Sequence, residues 1–176
     1  MRAIVFDTET TGLTVPSASD LSKQPRIIEL ACAVIEDNKI VSEHSWMIWP
    51  EQDVSAEITK ITGITNEMLK GKPLFRQVLG EVEEVFGGSD FLIAHNAPFD
   101  TALLTYELQR CARTGFPWPK ETICTVQEYI HLFGYRPKLT ELYEKIIGRP
   151  LLQTHRALDD VNALCEIVIK EGICRG

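Results

Sequence analysis

Ala3-Ile4-Val5-Phe6-Asp7-Thr8-Glu9-Thr10-Thr11-Gly12-Leu13 opens the chain with an unbroken apolar run that ends on two acids and a Thr-Gly turn. Apolar residues in succession, with nothing polar between them, read as a strand buried on both faces at the centre of a sheet. Such a strand brings Asp7 to its carboxyl end. Strand side chains alternate between faces, so Asp7 and Glu9 project together while Thr8 projects to the other side. Two carboxylates on one face can converge on a cation, although the same pair also suits a solvated strand end.

Working outward, Ile27 to Ile35 and Ile40 to Trp49 are two further strand-like runs joined by Glu36-Asp37-Asn38-Lys39, which predicts an antiparallel three-stranded start. Thr14 to Pro25, rich in Ser, Pro and Asp, reads as a loop. Val78, Leu79, Val82, Val85 and Phe86 follow helical spacing, and Gly87-Gly88 ends that helix before a strand at Phe91-Leu92-Ile93-Ala94. Pro98 opens a helix with Leu103, Leu104, Leu108 and Cys111 on one face. The remainder reads as mostly helical: Thr125-Val126-Gln127-Glu128 fits a capping box, Leu139 to Ile147 is periodic, and a last helix runs from about Ala157 to Ile169. Strands first and helices after predict an α/β sheet with helices packed on it.

The 176 residues, 44% hydrophobic and 24% charged, suit one globular domain spanning 1–176. A formal charge of −7 argues against a protein that coats nucleic acid through a broad basic face. It leaves a nuclease open, because bound metals supply local positive charge that the sequence does not count. No run has the length of a signal or a membrane span, so the expectation is a soluble, cytoplasmic protein with no membrane partner. Five cysteines without CxxC spacing indicate neither a disulfide framework nor a zinc site; Cys32, Cys111 and Cys165 lie in apolar patterns and read as core.

Asp100, in His95-Asn96-Ala97-Pro98-Phe99-Asp100, falls in the first turn of a helix. An acid there also suits the helix dipole, and Asn96 also suits a helix cap. The last helix discriminates better. Ala157, Val161, Leu164, Cys165, Val168 and Ile169 define its buried stripe, and at ~100° per residue Asp160 flanks that stripe while Asp159 points away from it. His155 stands just before this helix. His44, His95 and His131 read as structural or surface residues.

Taken together, FDTETTGL (Phe6 to Leu13), HNAPFD (His95 to Asp100) and HRALDD (His155 to Asp160) resemble the three motifs of the DEDDh, or DnaQ-like, exonuclease superfamily, in its polymerase III epsilon-like proofreading branch. Arg26-Ile27-Ile28-Glu29-Leu30 and Ile61-Thr62-Gly63-Ile64-Thr65 also look like segments of that family. The resemblance spans almost the whole chain and implies an RNase H-like fold, a mixed central sheet flanked by helices. It implies metal-binding acids at Asp7, Glu9, Asp100 and Asp160, with His155 as the general base. It further implies two Mg²⁺ ions, replaceable by Mn²⁺, ~3.5–4 Å apart, with Asp7 bridging them. Thr10, Gly12, Leu13, Ile64, Asn96 and Phe99 are the implied substrate contacts. The implied activity is 3′→5′ removal of nucleotides from single-stranded DNA ends, beside a polymerase or other replication protein as a partner. An RNA-trimming exonuclease of the same superfamily is the alternative within enzymes, and a non-catalytic adaptor for a nucleic-acid end or polymerase the alternative outside them. Within these 176 residues the expectation is an exonuclease domain alone, without a polymerase or helicase domain beside the motifs.

Overall fold

The computed structural model describes residues 1–16, 20–152 and 156–173. Among these, five strands form one sheet in the order β3-β2-β1-β4-β5. They are β1 (Arg2–Thr10), β2 (Ile27–Glu36), β3 (Lys39–Met47), β4 (Phe91–Ala94) and β5 (Glu121–Cys124). The first three run antiparallel, whereas β4 pairs parallel with β1 and β5 parallel with β4. The predicted hairpin closes through Asp37 and Asn38, both in left-handed backbone (φ 48° and 63°), which matches the right-handed twist of its strands.

The helices are α1 (Ala56–Thr62), α2 (Asn66–Leu69), α3 (Phe75–Phe86), α4 (Ala97–Arg110), α5 (Thr125–Phe133), α6 (Leu139–Ile147) and α7 (Ala157–Glu171). Alternation along β1 assigns them to the two faces of the sheet. Ile4 and Phe6 pack with Val78, Val82 and Phe86 of α3 and Leu103, Leu104 and Leu108 of α4. Ala3 and Val5 pack with Leu142 and Tyr143 of α6 and Val161, Leu164 and Val168 of α7. The same period therefore aims Thr8 at the α4 side and Asp7 and Glu9 at the α7 side.

A smaller cluster of Ile28, Val54, Ile64 and Leu69 lies under α1 and α2. Far along α4, buried Glu107 accepts from Arg26 Nε (2.8 Å) and Arg110 Nη1 (2.9 Å), tying that helix to the start of β2. Among the described residues, no helix is long and apolar enough to cross a membrane. The described cysteines Cys32, Cys111, Cys124 and Cys165 are free thiols.

Three local expectations change. Glu121–Cys124 is a strand, β5, in a stretch that the pattern reads as mostly helical. Thr125 does not cap α5 but is its first residue, the N-cap being Cys124, and its Oγ1 pairs with His95 Nδ1 at 3.0 Å. Thr14 to Pro25 is not all loop: Leu21–Lys23 forms a 3₁₀ turn capped by Asp20.

Candidate active site

β1 runs beyond its parallel pairing with β4, which ends at Val5 and Ile93, so Asp7 and Glu9 stand in the crevice at the carboxyl ends of the parallel strands. That crevice is where open α/β sheets place their ligands. Asp160, in the first turn of α7, meets them there. One carboxylate oxygen from each of Asp7, Glu9 and Asp160 lies within 4.8 Å of the other two. Asp160 is only 9% exposed, while Asp159 beside it faces solvent.

Asp100 comes in from the other face of the sheet and is held differently. Thr8 donates to the same Asp100 Oδ1 twice, from its backbone N–H (3.1 Å) and from its hydroxyl (2.7 Å). Asp100 stands outside the closest trio, yet its charge, after burial itself, is the largest influence raising the Asp7 pKa. Asp160, Glu9 and Glu29 push Asp7 the same way. Burial first, then Asp160, Glu29 and Asp100, raise Glu9 to about 8, against a smaller lowering by Arg156. Burial also raises Asp100, opposed by the two Thr8 hydrogen bonds. This is a site of crowded oxygen donors whose negative charges resist coexistence. Hard oxygen ligands of this kind suit Mg²⁺ or Mn²⁺, and a divalent cation would relieve the crowding. The donor set fits the implied metals.

Beside the trio lies a cavity of about 570 Å³ lined by Glu9, Thr10, Gly12, Leu13, Ile58, Ile61 and Phe99. Thr10 Oγ1 donates to the Gly12 carbonyl at 2.7 Å and closes the turn. Leu13 is 81% exposed and Ile61 50% exposed, so two unburied apolar side chains meet at this cavity. Thr10, Gly12, Leu13 and Phe99 thus share one wall system. Ile64 does not join them. Gly63 takes φ 71° at the end of α1, and the turn carries Ile64 into the buried cluster at 0% exposure. The wall on that side is made instead by Ile58 and Ile61. The sequence carried the signal, since Ser55 caps α1 and sets the helical phase that turns Ile61 outward.

Asn96 precedes α4 with left-handed backbone (φ 74°), makes no side-chain cap, and its Oδ1 accepts from Arg136 Nη2 at 2.6 Å. His95 is lodged between Thr125 Oγ1 and the Pro137 carbonyl (3.1 Å), and burial lowers its pKa. His155 lies outside the described residues. Reading by motif passed over the role of Glu29, the one charged residue between Ile27 and Ile35, which lies opposite Glu9 in the β1–β2 register.

The family model RNase_T, described as Exonuclease, matches residues 4–168. The chain is 34% identical over 174 residues to the DNA polymerase III subunit epsilon of Rickettsia prowazekii (strain Madrid E), covering 96% of this chain and 73% of that one. It is 33% identical over 165 residues to the DNA polymerase III PolC-type of Clostridium perfringens (strain 13 / Type A), covering 94% of this chain but only 11% of that longer protein. Among solved structures it is similar to Exonuclease X in complex with 5′ overhanging duplex DNA, at TM-score 0.69 and 28% identity, covering 99% of this chain and 93% of that one. The fold is also that of the nuclease domain of 3′hExo, a DEDDh family member bound to rAMP, at TM-score 0.78 and 20% identity over 99% of this chain and 92% of that one.

Proposed function

Because this chain belongs to the RNase T exonuclease family, we propose that it is a 3′→5′ exonuclease of the DEDDh, DnaQ-like group, releasing nucleoside 5′-monophosphates from single-stranded DNA ends. One observation carries the reading: Asp7, Glu9 and Asp160 converge from two elements beside a cavity with an apolar rim. The three acids would hold divalent cations, with Asp100, fixed by Thr8, in support. Two such ions, when bound, help to activate water and to neutralise charge on the departing oxygen.

The chain's own residues do the rest. Leu13, Ile61 and Phe99 offer an apolar seat to a terminal base, and an apolar seat accepts any base because each has a π-face. With the base seated, the last phosphodiester lies over the acids. Water attacks its phosphorus, His155 takes the proton from that water, and the bond to the 3′ oxygen of the preceding nucleotide breaks. That oxygen leaves as an alkoxide and takes a proton from bulk water to become the new 3′ hydroxyl, while His155 returns its own proton to solvent. His155 suits the task because its ordinary pKa of ~6.5 leaves it largely neutral at pH 7.

The reading takes residues 1–176 as one exonuclease domain. DNA is favoured because the two relatives described above carry the name DNA polymerase III, and a polymerase is the partner class those names support. The test is digestion of matched single-stranded DNA and RNA of one sequence. Faster release of deoxynucleotides supports the reading, whereas a preference for RNA moves the substrate to a ribose-bearing end.

A further inference from the structure

Glu29 sits on a strand buried along nearly its whole length, and its side chain is 1% exposed. A carboxylate placed there needs donors. It has four: Arg156 Nη2 at 2.6 Å and Arg156 Nε at 3.0 Å, the Ala157 backbone N–H at 3.1 Å, and the Ser45 hydroxyl at 3.3 Å. Ala157 is the first residue of α7, so the helix receives its capping acceptor from a strand 128 positions away in sequence. A Ser, Thr, Asn or Asp at position 156 would cap the helix locally. Here the N-cap is Arg156, whose side chain makes no cap and reaches across to Glu29 instead.

This junction also adds a fifth acid to a crowded cluster, since Glu29 lies opposite Glu9. Capping alone gives no reason to bring a negative charge there. Geometry does: Asp160 lies three residues after Ala157, and its N–H bonds the Arg156 carbonyl at 3.1 Å. Whatever fixes Arg156 and Ala157 against β2 fixes the height of Asp160 against β1.

We propose that the Glu29–Arg156–Ala157 junction is the positioning device of the cation site, locking α7 at the height where the Asp160 carboxylate meets those of Asp7 and Glu9. The inference rests on the reading of those three acids as cation ligands. It has a signature that a passive ion pair lacks. Removing the Arg156 charge from beside a cluster of acids should, by Coulomb's law alone, tighten cation binding. Removing a positioning group should weaken it.

The experiment is calorimetric titration of Mn²⁺ into the substrate-free chain, for wild type, Arg156→Ala, Arg156→Lys, Glu29→Gln and the double variant, each with a thermal melt. Groups that orient metal ligands are worth about 10–100-fold in metal affinity, so Arg156→Ala should weaken Mn²⁺ binding by about that factor. Arg156→Lys, which keeps the charge and loses the fork, should fall between. The double variant should bind no worse than the weaker single one, because both changes break one junction. Unchanged or tighter binding in Arg156→Ala overturns the inference, as do additive losses. A higher KM with Mn²⁺ binding intact also overturns it, since Arg156 would then act on substrate. If Arg156→Ala does not fold, Arg156→Lys decides by the same criterion. Absence of Mn²⁺ binding in the wild type overturns the reading of the acids themselves.

Discussion

Removing divalent cations should make this protein less stable as pH rises through neutrality, the reverse of what an ordinary paired carboxylate does. Glu9 has its pKa raised from an ordinary 4.5 to about 8 in the fold, and Asp7 and Asp100 move in the same direction. A group that holds its proton more tightly when folded contributes stability fully below its unfolded pKa. That contribution is lost as pH climbs to the folded value. The Glu9 window therefore runs from about 4.5 to about 8. At 1.36 kcal/mol per pH unit the upper bound is roughly 5 kcal/mol. Glu9 is half-buried, and water reaching it reduces the observable effect to roughly 2–3 kcal/mol. For a chain of this size ~1 kcal/mol moves Tm by ~2–4 °C, so Tm in EDTA should fall by roughly 5–10 °C between about pH 5 and about pH 8. Mg²⁺ competes with those protons, so its stabilisation should grow across the same range, reaching ~2.7 kcal/mol at ~100 times its Kd. Differential scanning calorimetry with and without Mg²⁺ reads both slopes. A metal-free Tm that stays level or rises with pH would refute the reasoning, as would a Mg²⁺ increment that is the same at both ends.

Asp160→Asn should lose several orders of magnitude in turnover while Asp159→Asn stays near wild type, because α7 turns one inward and the other to solvent; equal losses in a nucleotide-release assay would contradict that geometry. Thr8→Val removes a donor to Asp100 while keeping its shape, at about 1.5–3 kcal/mol of stability for a bond to a charged acceptor. Because that hydrogen bond lowers the Asp100 pKa, the acid limb of the pH–rate profile should move to higher pH, and an unmoved limb would count against a part for Asp100. His155→Ala should lose ~10²–10⁴-fold in kcat with Mn²⁺ affinity retained; calorimetry showing that its main defect is failure to bind Mn²⁺ would remove His155 from the general-base role.

The central strand was legible because Ala3, Ile4, Val5 and Phe6 must all be buried, and period two then decides where Asp7, Thr8 and Glu9 point. Helical period separated Asp159 from Asp160 in the same way. β5 escaped because Glu121–Cys124 is a four-residue edge strand with two exposed positions, too short to show alternation and held by pairing with β4. Helices α1 and α2 are one or two turns long, and the caps that start them, Ser55 and Thr65, are weak signals without an apolar stripe behind them. The resemblance alone implies Ile64 as a substrate contact, and no local pattern shows that the turn at Gly63 carries it into the buried cluster. The Glu29–Arg156 contact joins residues 127 apart, and no local pattern announces a partner at that separation.

The most direct measurement follows a single-stranded DNA oligonucleotide labelled at its 3′ end in one series and at its 5′ end in another, each with Mg²⁺, with EDTA, and with the Asp7→Ala chain. The 3′ label should leave at once as a mononucleotide and the 5′ label should persist on a ladder of shortening products, with both processes abolished by EDTA and by Asp7→Ala. Early release of the 5′ label as mononucleotide, or full activity in EDTA or in the Asp7→Ala chain, would contradict a cation-dependent 3′→5′ exonuclease.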